Sequence, residues 1–566
     1  MKISGSDAET AERVVDVLVV GSGAAGMSAA LTAAAHGLRP VVIEKSSYWG
    51  GSSARSGGGV WIPDNRVLRE QAPADDLEQA RRYLHGIVGP HADPARIDAY
   101  LDRGAEALNF LIDTAPLHLE WVRGYSDYYP EAPGGRASGR SCEPLPFDTR
   151  RLGADAATLH PPYSTAPANV VVKQSEYRWI SVGLRTWRGP AAMLRVGARA
   201  IGAYLRGRRL RGLGAALMGE LMLGLRTAGV PVELGTALTE LITEHDRVVG
   251  AHVERDGRSE VWRARHGIIL ACGGFEHNAE MRRKYQREPV GSEWTTGAPT
   301  NTGDGITAAL KLGAAVRLMD DAWWGPAIPL PEGPWFALTE RSLPRSIIVD
   351  ARGERFMNES LPYVEAVHRM YGGDFGQGDG PGEHIPAWLI FDKKYRNRYM
   401  FATLPGRAPM PRAWLESGVL VEAATIAELA ERIGVPAAAL TATVERFNGF
   451  ADNGVDEDFR RGESVYDHYY GDIANKPNPS LGPLTKGPFY AARLVPGDLG
   501  TKGGIDTDAA GRALRADGSV IAGLYAAGNT SAPVMGHTYA GPGATIGPAL
   551  VFGYLAALDI ADRARG

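Results

Sequence analysis

An apolar run, Val17 to Val20, leads into a turn of small residues, Gly21-Ser-Gly23-Ala-Ala-Gly26. An Ala-rich helical stretch follows, then a second apolar run, Val41 to Ile43, closed by Glu44. Strand, turn, helix, strand and acid stand at the spacing of a dinucleotide-binding unit. Further along, residues 81–113 read as helical, 125–170 as turn-rich, and 178–225 as helical and basic. The segments VPVELGTALTELIT, VVGAHVERDG and GIILACGGFE (the last at 267–276) read as strands returning to the first sheet. From about 300 to 485 tryptophan, proline and tyrosine become common, and the elements alternate less regularly. GLYAAGNTSAPVMG at 523–536 reads as a strand entering a glycine turn, and a final helix is predicted from near Gly543.

Each residue of the opening unit has a physical task. Gly21 allows the tight turn, Gly23 lets backbone approach a pyrophosphate, and Gly26 lets helix and strand pack closely. The helix start, at Ala24 and Ala25, offers free N–H groups and a positive dipole end to phosphates. Glu44, followed by Lys45, is placed to accept from ribose hydroxyls. A second small-residue loop follows directly, with Gly51, Ser52, Ser53, Ser56, Gly57 and Gly58. An NAD domain has no need of it, whereas the flavin end of FAD must be approached by bare backbone and hydroxyls. The pattern thus predicts an α/β fold: a discontinuous Rossmann-like FAD-binding domain at 14–299 and 486–566, with an inserted α+β catalytic domain at 300–485. A basic helical excursion interrupts the first part at about 175–225.

At 566 residues the chain exceeds one core. Hydrophobic content of 44% and charge of 22% belong to globular proteins, and a net charge of −4 gives no reason to expect nucleic acid as a partner. Cys142 and Cys272 make no disulfide framework and lack metal-ligand spacing, so no metal is expected. Cys272, in IILACGGF, reads as a small buried hydrophobe. The polar start MKISGSDAETAER carries no signal-peptide pattern, and no apolar run is long enough to span a bilayer, so a cytoplasmic location is expected. The glycines of 372–382 read as a plain loop, and Gly212-Leu-Gly214, after arginines rather than a strand, as a weaker match still. With one nucleotide fingerprint, electrons are expected to leave to an external acceptor.

The motifs GGSSARSGGGVWIPDN, GYSDYYPEAPGG, ACGGFEHN, NTGDG, MDDAWWGP, RFMNESLPY, DLGTKGGI and SAPVMGHTYAGPG together resemble the 3-ketosteroid Δ1-dehydrogenase family. That family lies within the wider fumarate-reductase-like flavoproteins, and the likeness runs from about residue 14 to the end. The tyrosine-bearing motifs are the specific ones. The resemblance implies removal of a hydrogen pair from carbons 1 and 2 of a steroid A ring, one as a proton and one as a hydride to flavin N5. It implies that Tyr539 and the Gly543 N–H hold the carbon-3 oxygen, that Tyr363 takes the carbon-2 proton, and that Tyr128 assists, with Tyr125 and Tyr129 as neighbours that could take its place. Gly273 and Gly274 end a strand at its carboxyl end, where ligands bind in open α/β sheets, and Ala237, Asp304, Gly528, Asn529 and Ile546 complete the expected FAD-binding set. A Δ4-dehydrogenase on the same scaffold is the alternative, and a fumarate reductase-like or non-catalytic flavoprotein a more distant one.

The chemistry suits those residue types. An enolate oxygen must be met by donors aimed at it, and a tyrosine, with a pKa near about 10, needs help to act as a base at neutral pH. Two departures stand out: Ala540 where other members often carry Pro, and Ala544 where they carry Gly. Gly500 stands where fumarate reductases carry a substrate histidine, and no arginine appears around TYAGPG. Trp323, Trp324 and Trp335 read either as walls for a flat apolar ligand or as core. His537 is expected to bond locally near the flavin; Lys502 either favours reduced-flavin charge or sits at a turn; Arg355 and Glu359 read as a structural ion pair. From Arg178 to Arg211 arginines interleave with apolar residues and no acid. Such a stretch suits an anionic membrane surface and a quinone acceptor, or else a solvated helical cover.

Overall fold

The computed structural model describes residues 12–163 and 170–566. The strand Glu12–Val20 lies at the centre of an eight-stranded sheet, parallel to Pro40–Glu44 on one side and to Arg258–Leu270 on the other. Val17, Leu18 and Val19 are wholly buried, as a continuous apolar run requires when both faces are covered. Val232–Leu234 extends one edge; Arg247–Arg255, Val520–Ala526 and Arg512–Leu514 build the other, with Thr236–Glu244 pairing to Arg247–Arg255. The C-terminal strand Val520–Ala526 thus returns to the N-terminal sheet, so the dinucleotide fold is discontinuous. The helix Ala24–Ala35 packs against the last helix, Ile546–Arg565.

The fingerprint turn is glycine for measurable reasons. Gly21 has φ +108°, and a Cβ there would stand 2.3 Å from the Ala271 carbonyl oxygen. A Cβ on Gly26 would stand 1.9 Å from the Gly21 oxygen.

A second, antiparallel sheet of six strands is built from Gly333–Phe336, Ala322–Leu330, Phe489–Thr501, Ala387–Asp392 and Ser346–Val349, with Leu420–Ala423 also paired to Phe489–Thr501. The division expected at 485 therefore falls before a strand at the heart of this second sheet. The next residues, Gly504–Ile505, pair with Val316–Arg317 instead.

The excursion contains the helices Gln174–Ser181, Arg188–Leu205 and Leu213–Thr227. The weak reading of Gly212-Leu-Gly214 is corrected by its surroundings: it follows the short strand Leu210–Arg211 and opens a helix. The Gly214 N–H donates to the Ser56 carbonyl at 3.0 Å, and a Cβ on Gly214 would stand 2.0 Å from the Ser53 oxygen. The small-residue loop expected at the flavin is backed by this second glycine segment, far from it in sequence.

Candidate active site

A single cavity of about 940 Å³ runs from the fingerprint turn to a group of aromatic side chains. That is near the top of the roughly 300–1,000 Å³ range of ligand sites. One end is lined by Gly21, Gly23, Ala24, Ala25, Glu44 and Lys45. Gly51, Ser52, Ser53, Ser56, Gly57, Gly58, Gly273, Asp304, Gly528, Asn529 and Ile546 line its course. Three expected residues stand outside the lining. Gly26 is behind the turn, Ala237 lies between the lining residues Thr236 and Leu238, and Gly274 packs on Thr501.

The polar groups at this end are held in place. Glu44 accepts from the Ser22 N–H (3.0 Å), the Ser22 hydroxyl (2.7 Å) and the Ser46 N–H (3.0 Å). Lys45 Nζ is 2.6 Å from Asp304 Oδ2 and 2.6 Å from Thr302 Oγ1. Ser53 Oγ accepts from the Ala24 N–H at 3.1 Å, and Ser52 Oγ from the Ala298 N–H at 2.9 Å. A helix start whose cap residue, Gly23, has no side chain, a bare glycine turn and a fixed acid make a cradle that fits the diphosphate and ribose of FAD.

At the other end three tyrosines meet. The ring centres are 5.5 Å apart for Tyr128 and Tyr363, 5.4 Å for Tyr363 and Tyr539, and 5.2 Å for Tyr128 and Tyr539. They come from three separate parts of the chain. The Tyr128 N–H donates to the Ala540 carbonyl at 3.0 Å, which also accepts from the Tyr83 hydroxyl at 2.6 Å. Beside it, buried Asp127 accepts from the Trp61 indole N–H at 2.8 Å and pairs with Arg140. Tyr363 is the first residue of the helix Tyr363–Tyr371, set there by Pro362, which cannot continue a helix backwards. Tyr539 Oη accepts from the Thr545 hydroxyl at 3.0 Å. Gly543 has φ +97°, and a Cβ on it would stand 2.3 Å from the Gly59 carbonyl carbon, so its backbone sits hard against the flavin-side loop.

Burial pushes all three phenols above the usual tyrosine range. For Tyr363 the neighbouring Tyr539 adds to the rise, while the Tyr128 hydroxyl works against it. For Tyr539 the Thr545 hydroxyl, Tyr363 and the Gly543 amide all work against it. Among the three candidates in GYSDYYPE, Tyr128 touches both partners. Tyr125 also lines the cavity but stacks on Tyr469 at 3.9 Å, and Tyr129 is outside the lining.

The remaining walls are apolar. Trp323 meets Tyr539 edge-on at 5.2 Å and donates its indole N–H to Asn529 at 3.0 Å. Trp335 lines the cavity too, but Trp324 does not: it is core, packed on Tyr371. Phe336, which sequence reasoning passed over, stands 5.1 Å from Tyr363. Its only signal was its place beside Trp335 at the end of the strand Gly333–Phe336. Ala544 is buried outside the lining, so its methyl does not narrow the cavity. Cys272 is a lining residue, half-buried rather than core, and burial pushes its thiol up to about 11. Lys502 lies at neither a turn surface nor the lining: it is wholly buried, ion-paired with Asp321 at 3.0 Å. Arg355 and Glu359 are paired at 2.7 Å inside a buried set with Asp456 and Arg461. No cluster of potential metal ligands occurs among the described residues.

The FAD binding domain family model matches residues 16–546. Over 554 residues, covering 97% of this chain and 98% of the relative, the sequence is 62% identical to a 3-oxosteroid 1-dehydrogenase of Mycobacterium tuberculosis. The chain belongs to the 3-oxosteroid 1-dehydrogenase family. It is a FAD-dependent oxidoreductase, as the cradle fits. Its fold matches that of the family member from Sterolibacterium denitrificans, a 3-ketosteroid Δ1-dehydrogenase solved with 1,4-androstadiene-3,17-dione, with TM-score 0.90, 39% identity and coverage of 97% of this chain and 100% of that one. The chain is also 35% identical over 575 residues, 98% of this chain and 94% of the relative, to a 4-oxocyclohexanecarboxylate 2-dehydrogenase of Sinomonas cyclohexanicum. The names of these two curated relatives both specify an oxo group on a ring.

Proposed function

We propose that this enzyme desaturates the A ring of 3-ketosteroids between carbons 1 and 2, with Tyr539 and Gly543 on the carbon-3 oxygen and Tyr363 as base. The observation that carries this reading is the meeting of Tyr128, Tyr363 and Tyr539 at one wall of an apolar chamber continuous with the dinucleotide cradle. The Tyr539 hydroxyl and the Gly543 N–H stabilise charge growing on the ketone oxygen, which acidifies the proton on carbon 2. Tyr363, as its phenolate, takes that proton and becomes a neutral phenol, and Tyr128 favours the phenolate before the transfer by donating to it. Bound FAD supplies the acceptor for the hydride leaving carbon 1. The cations lining the cavity are already engaged: Lys45 with Asp304, Lys173 with Glu120, Arg55 with the Thr296 carbonyl and Arg211 with the Leu210 carbonyl. With Trp323, Trp335 and Phe336 lining the cavity, the tyrosine end favours a large apolar ketone over a carboxylate substrate.

The electrons pass to an external acceptor, and a lipid-soluble quinone suits the surface beside the cavity. The helix Arg188–Leu205 and its flanks expose Trp187 (77%), Leu194 (74%), Tyr204 (84%) and Leu205 (77%). Arg188, Arg195, Arg206, Arg208 and Arg209, interleaved with them along the chain, are exposed too. Tyr177, Ile180 and Leu210 of the same excursion line the cavity, as does Val171 just before it. Exposed apolar residues interleaved with exposed arginines support contact with an anionic membrane, from which a greasy steroid could enter. No described helix is long and apolar enough to cross a membrane. Product analysis by NMR tests the reaction: a 3-keto-4-ene steroid should gain a double bond between carbons 1 and 2, and desaturation only at carbons 4 and 5 of a saturated A ring would refute it.

A further inference from the structure

Asp321 ends the MDD motif and precedes the strand Ala322–Leu330. Its carboxylate is buried (2% exposed), outside the cavity lining, and every polar atom of the residue's acceptor set is used. Oδ2 accepts from Lys502 Nζ at 3.0 Å and meets His537 Nδ1 at 2.9 Å. Oδ1 meets His368 Nε2 at 3.0 Å and accepts from the Ala322 N–H at 2.8 Å. Its main-chain carbonyl accepts from the Lys502 N–H and the Gln286 amide. Burial alone would raise this acid, but the Lys502 ammonium and His368 hold it well below the usual carboxylate range.

The partners of this carboxylate are placed unusually. His368 belongs to the helix Tyr363–Tyr371, whose first residue is Tyr363. His537 lies two residues before Tyr539, and Lys502 Nζ also grips the His537 carbonyl at 2.5 Å. Two residues past Asp321, Trp323 sets its ring edge against Tyr539. The direct contact between Tyr363 and Tyr539 is an edge-to-face meeting of rings, which tolerates sliding. Hydrogen bonds to an ionised, desolvated carboxylate are directional and stronger, and a fully satisfied buried network is rigid.

We propose that Asp321 is a positioning residue for the desaturation: one carboxylate pins, through His368 and His537, the two chain segments that carry the base and the ketone donor, and so fixes their separation. The inference rests on the reaction assigned above. A misplacement of about 1 Å at reacting groups costs on the order of 100-fold in rate, so a pin of this kind acts on turnover rather than on affinity for the apolar steroid body.

The test uses the FAD-loaded full-length enzyme and a 3-ketosteroid carrying deuterium at carbon 2. Asp321→Asn is expected to keep its FAD and a KM within about threefold of wild type, to lose kcat by about 100-fold, and to show a larger carbon-2 isotope effect, because proton removal becomes limiting. His368→Leu is expected to lose kcat, and His368→Gln, which keeps a donor near the Nε2 position, to recover most of it. A kcat for Asp321→Asn within about threefold of wild type overturns the proposal, as does equal activity of the Leu and Gln variants. If Asp321→Asn loses its FAD, the His368 pair decides alone. A wild-type enzyme inert toward 3-ketosteroids would sink the reaction assignment instead.

Discussion

The rings of Tyr128 and Tyr363 stand 5.5 Å apart at 80°, although one residue comes from a loop of the dinucleotide part and the other from the start of a helix in the inserted part. Their approach places a donor beside a phenol that burial otherwise drives far from ionisation. Replacing Tyr363 with Phe keeps the ring, its contacts with Phe336 and Tyr539, and the packing of the helix. We expect Tyr363→Phe to bind FAD normally and to lose kcat by about 10²–10⁴-fold, the range of a general base. Steady-state kinetics with a flavin-content assay checks this, and unchanged turnover removes Tyr363 as the base.

The pH profile follows from the same burial. The Tyr363 pKa is raised above its ordinary value, so the basic form is the minor one near pH 7 and grows tenfold per pH unit. Log kcat/KM should therefore rise with pH through the neutral and alkaline range with a slope approaching one, and level off only above the usual tyrosine pKa. A profile falling from pH 7 to pH 9 contradicts a phenolate base.

Tyr539 carries a different load. Tyr539→Phe removes one of two donors to the ketone oxygen and should reduce kcat by about 10²–10³-fold. Gly543→Ala should be worse than its size suggests, because its Cβ would stand 2.3 Å from Gly59 at a φ of +97°. We expect that variant to lose both activity and tight FAD binding, measured by flavin release on dilution.

Membrane contact is checked by flotation with vesicles. Wild-type protein should float with anionic vesicles at low salt and less at high salt, and Trp187→Ala with Leu194→Ala should weaken it while kcat on a soluble steroid stays unchanged. Absence of salt-sensitive binding ends the idea.

The dinucleotide half was readable because its constraints are local: a turn, a helix start and an acid within some thirty residues leave a fixed signature. The tyrosines were readable only through the motifs around them, since a buried aromatic looks the same in sequence whether it packs or reacts. What escaped was set by distance along the chain. Gly214 serves the Ser53–Ser56 loop from a segment read as featureless, because nothing local announces a backbone approach from 158 residues away. Asp321 and Lys502 likewise gained meaning only when folding brought His368 and His537 to them. The strand Phe489–Thr501 has the apolar character of either sheet, so periodicity could not say which it would join.

Structure determination of the enzyme with a bound 3-ketosteroid reaches the centre of the account. The carbon-3 oxygen should lie within about 3.2 Å of both Tyr539 Oη and the Gly543 amide nitrogen, with carbon 2 facing Tyr363. A ketone turned toward the excursion at Tyr177 and Ile180, with Tyr539 and Gly543 meeting only the hydrocarbon end of the ligand, would contradict it.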